Sequence, residues 1–312
     1  MEVGAESLVF LGQKLRPLLF LALFSILVAG LLHYVVPRIL YPLRIDDVPG
    51  DAYIVPWMRP NLSIAELSLH PQYVGGPVPF NIHSVMAGAL TFNITFNIEI
   101  PNGEVRIVPS TIYLGHDLEY LYIGGEFIGM GLNPYKDPDT PSLILPNFLE
   151  ILFDVANDGT LTFPESGSAI SVCVFQDGGW MCFYHDLLWC YSRSEKSMAW
   201  GVDDGYCFPN APPPRAIGQM TAAYDNSTGT LIAFFSRHLR WPKNADINAL
   251  QIRPGERWVM RFLLRLGYAT YTIYGMYDDT WPQKGYSNFS NDTSQWGKLC
   301  IDLTNPPPQF KD

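Results

Sequence analysis

Four of the five cysteines, Cys173, Cys182, Cys190 and Cys207, fall in one stretch of the chain, and Cys300 stands apart. Zinc sites of the finger and ribbon type need C-x2–4-C pairs, so that two thiolates reach one tetrahedral ion, and the sequence has none. Two disulfides among the four are the expectation, with three connectivities open. Each would stabilise a loop poor in core by ~2–4 kcal/mol. Cys300, between Leu299 and Ile301, reads as a buried thiol. The same stretch holds His185-Asp186. A Cys–His pair becomes nucleophilic when a base, an orienting group and an oxyanion donor converge, and no motif here unites them. The acid pairs Asp203-Asp204 and Asp278-Asp279 are of the type used in glycoside hydrolysis or Ca²⁺ binding, yet neither sits in a ligand-spaced loop. The sequence contains no G-x-S-x-G, phosphate-binding loop or H-E-x-x-H. No catalytic residue, cofactor or metal is expected.

Aromatic residues crowd the cysteine stretch. Trp180, Trp189, Tyr191 and Trp200 are the candidate contact residues, because Trp and Tyr on loops anchor interfaces and bind sugars. A small core built with the disulfides is the alternative. With a net charge of -10 and no run of Lys and Arg, nucleic acid is excluded as a partner.

The elements that must position these residues are mostly strands. In LTFNITFNIEI, Leu90, Phe92, Ile94, Phe96, Ile98 and Ile100 alternate with Thr91, Asn93, Thr95, Asn97 and Glu99. A period of two puts the first set on one face of a strand. Six apolar side chains on one face predict a strand in the middle of a sheet. Further strands are expected at 105–108, 110–114, 169–175, 230–239, 257–266, 268–277 and 298–303, with a Gly124-Gly125 hairpin between 118–123 and 126–130. Residues 148–156, FLEILFDVA, do not alternate; an Asn147 cap and a 3.6-residue period predict one short helix. Residues 176–215 read as an irregular, cross-linked insertion. The fold class expected is a mainly β sandwich spanning 58–303.

Pro17–Val36 is apolar for 20 residues and reaches ~30 Å as a helix, one hydrocarbon core. It reads as an uncleaved single-pass transmembrane signal anchor behind a tail at 1–16, with a Pro-rich stalk at 37–57 and a C-terminal tail at 304–312. Flanking charges tie, so they do not orient it. Acceptor triplets for N-glycosylation at Asn61, Asn93, Asn226, Asn288 and Asn291 all follow the span, against about two expected by chance. With the cysteines they favour an extracellular or lumenal domain, at the plasma membrane or an endomembrane.

The span, the stalk, LTFNITFNIEIPNGEVRI, YLYIGGEFIGMG, FLEILFDV and the late RWVMRFLLRL and KLCIDL resemble the late embryogenesis abundant, water-stress-hypersensitive domain, in its membrane-anchored harpin-induced-like plant branch. That resemblance covers about 58–175 and, more loosely, 255–303. It implies a fibronectin-like sandwich with one helix, no catalysis, and a role in stress or immune signalling and wall adhesion. The function expected is thus a non-enzymatic membrane protein that contacts a protein or glycan partner. The alternatives are a membrane-tethered enzyme acting on glycans, with carboxylates among Asp186, Asp203, Asp204 and Asp279, and a cytosolic sandwich that binds lipid.

Overall fold

The alternating stretch forms strand β3 (Leu90–Glu99), with Phe92, Ile94, Phe96 and Ile98 buried and Thr91, Asn93, Thr95, Asn97 and Glu99 exposed. It pairs along its whole length with β4 (Val105–His116), which runs through Pro109 as one strand. β5 (Tyr120–Phe127), β11 (Thr230–His238) and β10 (Met220–Asp225) complete an antiparallel five-stranded sheet in the order β10-β11-β5-β4-β3. β3 therefore lies at the sheet's edge, not in its middle as expected.

The computed structural model describes residues 49–61, 72–75, 81–100, 103–131, 133, 147–161, 165–174, 180–192, 197–202, 220–225, 227–239, 250, 252, 254–269, 276–287 and 290–311. For 72–75, 166, 174, 180–181, 183–184, 186, 188, 190–192, 197–199, 201–202 and 276 it describes the backbone alone. All of these lie in the unit Ile45–Asp312. The expected tail, the membrane span and most of the stalk fall outside the described residues, among which no helix is long and apolar enough to cross a membrane.

A nine-stranded sheet faces the first. Its order is β1 (Ala52–Ile54), β14 (Gly297–Asp302), β12 (Arg257–Ala269), β6 (Asn147–Asp154), β7 (Ser166–Val174), β8 (Trp180–Ser192) and β2 (Gln72–Gly75). β13 (Met276–Trp281) pairs with the far end of β12, and β9 (Ser197–Val202) pairs with β8. Phe92, Phe96, Phe127, Phe153, Phe235 and Phe262 share the core between the sheets. Each such side chain contributes ~1.5–3 kcal/mol when fully buried.

Three expectations are corrected here. FLEILFD lies in strand β6, not in a helix, and all eight residues of NFLEILFD are buried. Leu149, Ile151 and Phe153 face the inter-sheet core, and Leu152 faces a second cluster on the outer side. A strand covered on both faces loses its alternation and cannot be told from a helix by period. Within 176–215, expected to be irregular, 180–192 and 197–202 are the strands β8 and β9. Gly124-Gly125 lies inside β5, not at a turn. A Cβ on Gly124 would stand 2.9 Å from Ile82 Cδ1, so glycine there admits a helix, α1 (Ile82–Val85), capped by the Asn81 side chain.

Gly267 sets the seat of β13 in a similar way. A Cβ there would lie 2.4 Å from the Tyr277 carbonyl oxygen and 2.8 Å from Asp278 Cα. Gly267→Ala is expected to push β13 off β12 and to lower stability by ~1–3 kcal/mol in urea unfolding. Unchanged stability would refute the Gly267–Asp278 register.

Candidate functional site

The structure corrects the disulfide expectation for the cysteines it describes. Cys173, Cys182 and Cys300 are free and buried. Val172, not Cys173, pairs with Cys182 across β7 and β8, so the two thiols belong to opposite faces. Burial pushes Cys173 up to about 11 and Cys182 up to about 12, which leaves both as inert thiols near neutral pH. The Cys190 side chain and Cys207 lie outside the described residues.

Of the expected contact aromatics, Trp189 and Trp200 are buried. Their rings meet edge to face at 5.7 Å, in a cluster with Leu152, Leu187, Leu263, Tyr286 and Trp296 on the outer side of the larger sheet. Trp200 Nε1 donates to the Tyr286 hydroxyl at 3.2 Å. They form the small core that was the alternative reading, without disulfides among the described cysteines. The side chains of Trp180, Tyr191 and Asp186, and all of Asp203 and Asp204, lie outside the described residues, as do Asn226 and Asn288. Asn61, Asn93 and Asn291 are exposed.

Beside that cluster runs a ladder of ion pairs. Arg257, Arg261 and Arg265 recur every fourth residue on β12 and therefore share one face. Arg257 pairs with Asp302 at 2.6 Å, Arg261 with Asp154 at 3.7 Å, and Arg265 with both Glu150 (3.4 Å) and Asp278. Burial works against the charge on Arg265, but its two carboxylates override it and hold it protonated. Burial also pushes Glu150 and Asp154 above the usual carboxylate range. Glu165 is pushed up to about 9, chiefly by burial. It is 1% exposed and accepts the Val155 N–H at 2.8 Å.

A second polar chain lies on the outer side of the smaller sheet. His83, on α1, bonds through Nδ1 to the Tyr113 hydroxyl, and its Nε2 lies 3.4 Å from Glu126. Thr111 on the same face donates to Asn93 Oδ1 at 3.3 Å. The two His83 contacts fasten α1 over Gly124.

The remaining place is the seam where the edge of β3 meets β13. Asp279 Oδ2 accepts the backbone N–H of Asn97 at 2.8 Å and the Lys284 ammonium at 2.5 Å, while Oδ1 accepts the Thr280 N–H at 2.8 Å. Asp278 points the other way, to Arg265, so the acid pair splits between two faces and does not form a carboxylate dyad. Farther along β3 the seam turns aromatic. Trp281 lies 5.0 Å from Phe92, Tyr53 meets Phe92 edge to face at 4.9 Å, and Tyr53 and Trp281 stand 6.4 Å apart at 42°. Tyr53 is 39% exposed, Trp281 is half-buried and Lys284 is exposed. Phe92 and Asn97 are five residues apart on β3, about 17 Å, whereas Asp279 and Trp281 are two residues apart on β13, about 7 Å.

Sequence reasoning missed this seam. It assigned Tyr53 to the stalk, whereas Ala52–Ile54 adds to the larger sheet as a parallel strand and Val55 is buried in the core. The available signal was the apolar run Tyr53-Ile54-Val55 among the prolines. Trp281 carried no signal, because its neighbours come from distant strands.

No family model and no curated protein matches the chain. Among solved structures it is similar to a family 9 carbohydrate binding module from Caldicellulosiruptor kristjanssonii in complex with glucose, at 12% identity, over 80% of this chain and 95% of that one, with a TM-score of 0.40. It is also similar to such a module from the same organism in complex with cellotriose, at 13% identity, over 73% and 90%, with a TM-score of 0.38. The resemblance to the late embryogenesis abundant domain is thereby corrected. No family model supports it, its helix is β6, and within its insertion 180–192 and 197–202 are strands of the larger sheet. The expected roles in plant stress and defence fall with it.

Glu165 generates a prediction about pH. Its carboxyl takes up a proton on folding wherever the pH lies between about 4.5 and about 9. The native state then binds more protons than the unfolded state, so stability is greatest below that window and falls as pH rises through it, by at most ~1.4 kcal/mol per pH unit. Glu165→Gln should make the dependence shallower in urea titrations between pH 5 and 9. A mutant slope equal to the wild-type slope would show that Glu165 ionises normally.

Proposed function

We propose that this chain is a non-catalytic β-sandwich module that contacts glycan along the β3–β13 seam. The observation that carries the reading is the exposed Tyr53 ring beside Trp281, on the same seam as the Asp279–Lys284 pair. A sugar has apolar C–H faces and a rim of hydroxyls. The two rings supply apolar surface, and Lys284 supplies donors at one end. Asp279 is held by two backbone N–H groups and Lys284, an arrangement suited to fixing a lysine and unsuited to a mobile proton. That favours binding over the glycan-acting enzyme for which Asp279 was a candidate.

Glucose and cellotriose, the sugars held by the family 9 modules, are natural first probes, followed by a panel of plant, fungal and animal oligosaccharides. Tryptophan fluorescence and calorimetry would report binding. Trp281→Ala and Tyr53→Ala should each weaken it roughly tenfold or more, in line with truncation of an aromatic anchor. Tyr53→Phe should keep most of the affinity. Lys284→Met leaves the Asp279 carboxylate, whose side chain is 10% exposed, with only its backbone N–H donors, so weaker binding by that variant at unchanged urea stability would reflect contact with the sugar. Absence of binding across the panel, or binding indifferent to Tyr53 and Trp281, would overturn the reading.

A further inference from the structure

The outer side of the smaller sheet has a roofed half and an open half. α1, with Ile82, Met86 and Met58, covers Gly115 and Gly124. The other half carries Ile107, Val105 and Ile128, exposed by 65%, 50% and 49%. Register brings them together. Ile107 pairs with Asn97 and Val105 with Glu99, and the Ile128 N–H donates to the carbonyl of Pro109, which pairs with Thr95. Three large aliphatic side chains thus stand in water on one sheet face, where a soluble surface normally scatters such residues singly.

Asn93 borders this patch. It pairs with Thr111 on the same face, one row from Thr95–Pro109–Ile128 and two rows from Asn97–Ile107. It opens the acceptor triplet Asn93-Ile94-Thr95, in which both polar residues are exposed. Its Oδ1 accepts from Thr111, which orients the amide and leaves Nδ2, the atom that a glycan would occupy, outside that bond. The other described acceptors are placed differently. Thr293 of the Asn291 triplet is buried and donates to Asp154 at 2.5 Å, and the Asn61 N–H is bonded to the Val85 carbonyl beside α1. Neither borders the patch.

We infer that Asn93 carries an N-linked glycan, and that this glycan covers the Ile107–Val105–Ile128 face. From Asn93 to the level of Ile107 is about 13 Å along the strand, within reach of the first few sugars of a branched chain. A bulky hydrophilic group at that point hides apolar surface without any protein partner. This glycan is the chain's own and does not depend on ligand binding at the seam.

The test uses the full chain made in a eukaryotic secretory host. Peptide mass spectrometry reads occupancy at Asn93, and light scattering with an apolar dye reads the exposed face. Asn93 is expected to be occupied. Asn93→Gln and Thr95→Ala should each lose one glycan, bind several-fold more dye and self-associate at micromolar concentration. Thr95→Ser should keep the glycan and the monomer. Adding Ile107→Ser to Asn93→Gln should restore the monomer. An unmodified Asn93, whether or not the other acceptors are used, overturns the inference. So does a glycan whose removal changes neither dye binding nor association, or a glycosylated wild type that already dimerises through Ile107.

Discussion

The structure turns on the open edge of β3. This strand turns a row of apolar side chains to the core and, among the described residues, is paired on one side only, by β4. A free edge next to a phenylalanine-rich core exposes backbone donors and invites pairing with another chain. Here Asp279 takes the Asn97 N–H, and Lys284 balances the carboxylate. That contact brings β13 against β3 and closes the gap between the sheets. Once β13 is there, Trp281 must lie over Phe92, and Tyr53 on β1 completes the aromatic end. The candidate site is thus a by-product of edge closure, and its geometry follows from the register of β12 on β13.

The larger sheet meets a different constraint, because both of its faces are covered. Its inner face packs on the smaller sheet. Its outer face carries Trp189, Trp200, Tyr286 and Trp296 and, beside them, the arginine ladder of β12. Buried ion pairs recover their desolvation cost only in part, so the ladder is a poor source of net stability. It does fix register. A one-residue slip of β12 would turn Arg261 and Arg265 into the phenylalanine core and strand Asp154 and Glu150 without partners. The penalty for the wrong pairing far exceeds the gain from the right one, and that asymmetry is what the ladder contributes.

This contrast explains what the sequence revealed. Where one face meets water, as along Leu90–Glu99, alternation survives and the strand was legible to within a residue. The Arg257, Arg261 and Arg265 spacing was legible too, as the polar side of an alternating strand. Where both faces are buried the signal fails. FLEILFD read as a helix because a water-exposed face was the cue and β6 is buried along its whole length. Glycine misled for a related reason. A pair of glycines marks either a turn or a close approach, and only the presence of α1 decides between them. The seam was invisible because its groups come from β1, β3, β13 and the turn after it, more than 200 residues from first to last.

Tyr53 shows why the seam reads as more than packing. Its ring meets Phe92 edge to face and stands at 42° to Trp281, so neither ring is stacked flat upon the other. A side chain needed only to plug the gap would gain most by full burial, and any apolar residue would serve. Instead the residue is 39% exposed, at the end of a short edge strand next to the exposed Ile54. Burying that surface would gain about 25 cal/mol per Å², and the glycan reading proposed for the seam gives the exposed Tyr53, the half-buried Trp281 and the fixed Lys284 one common use.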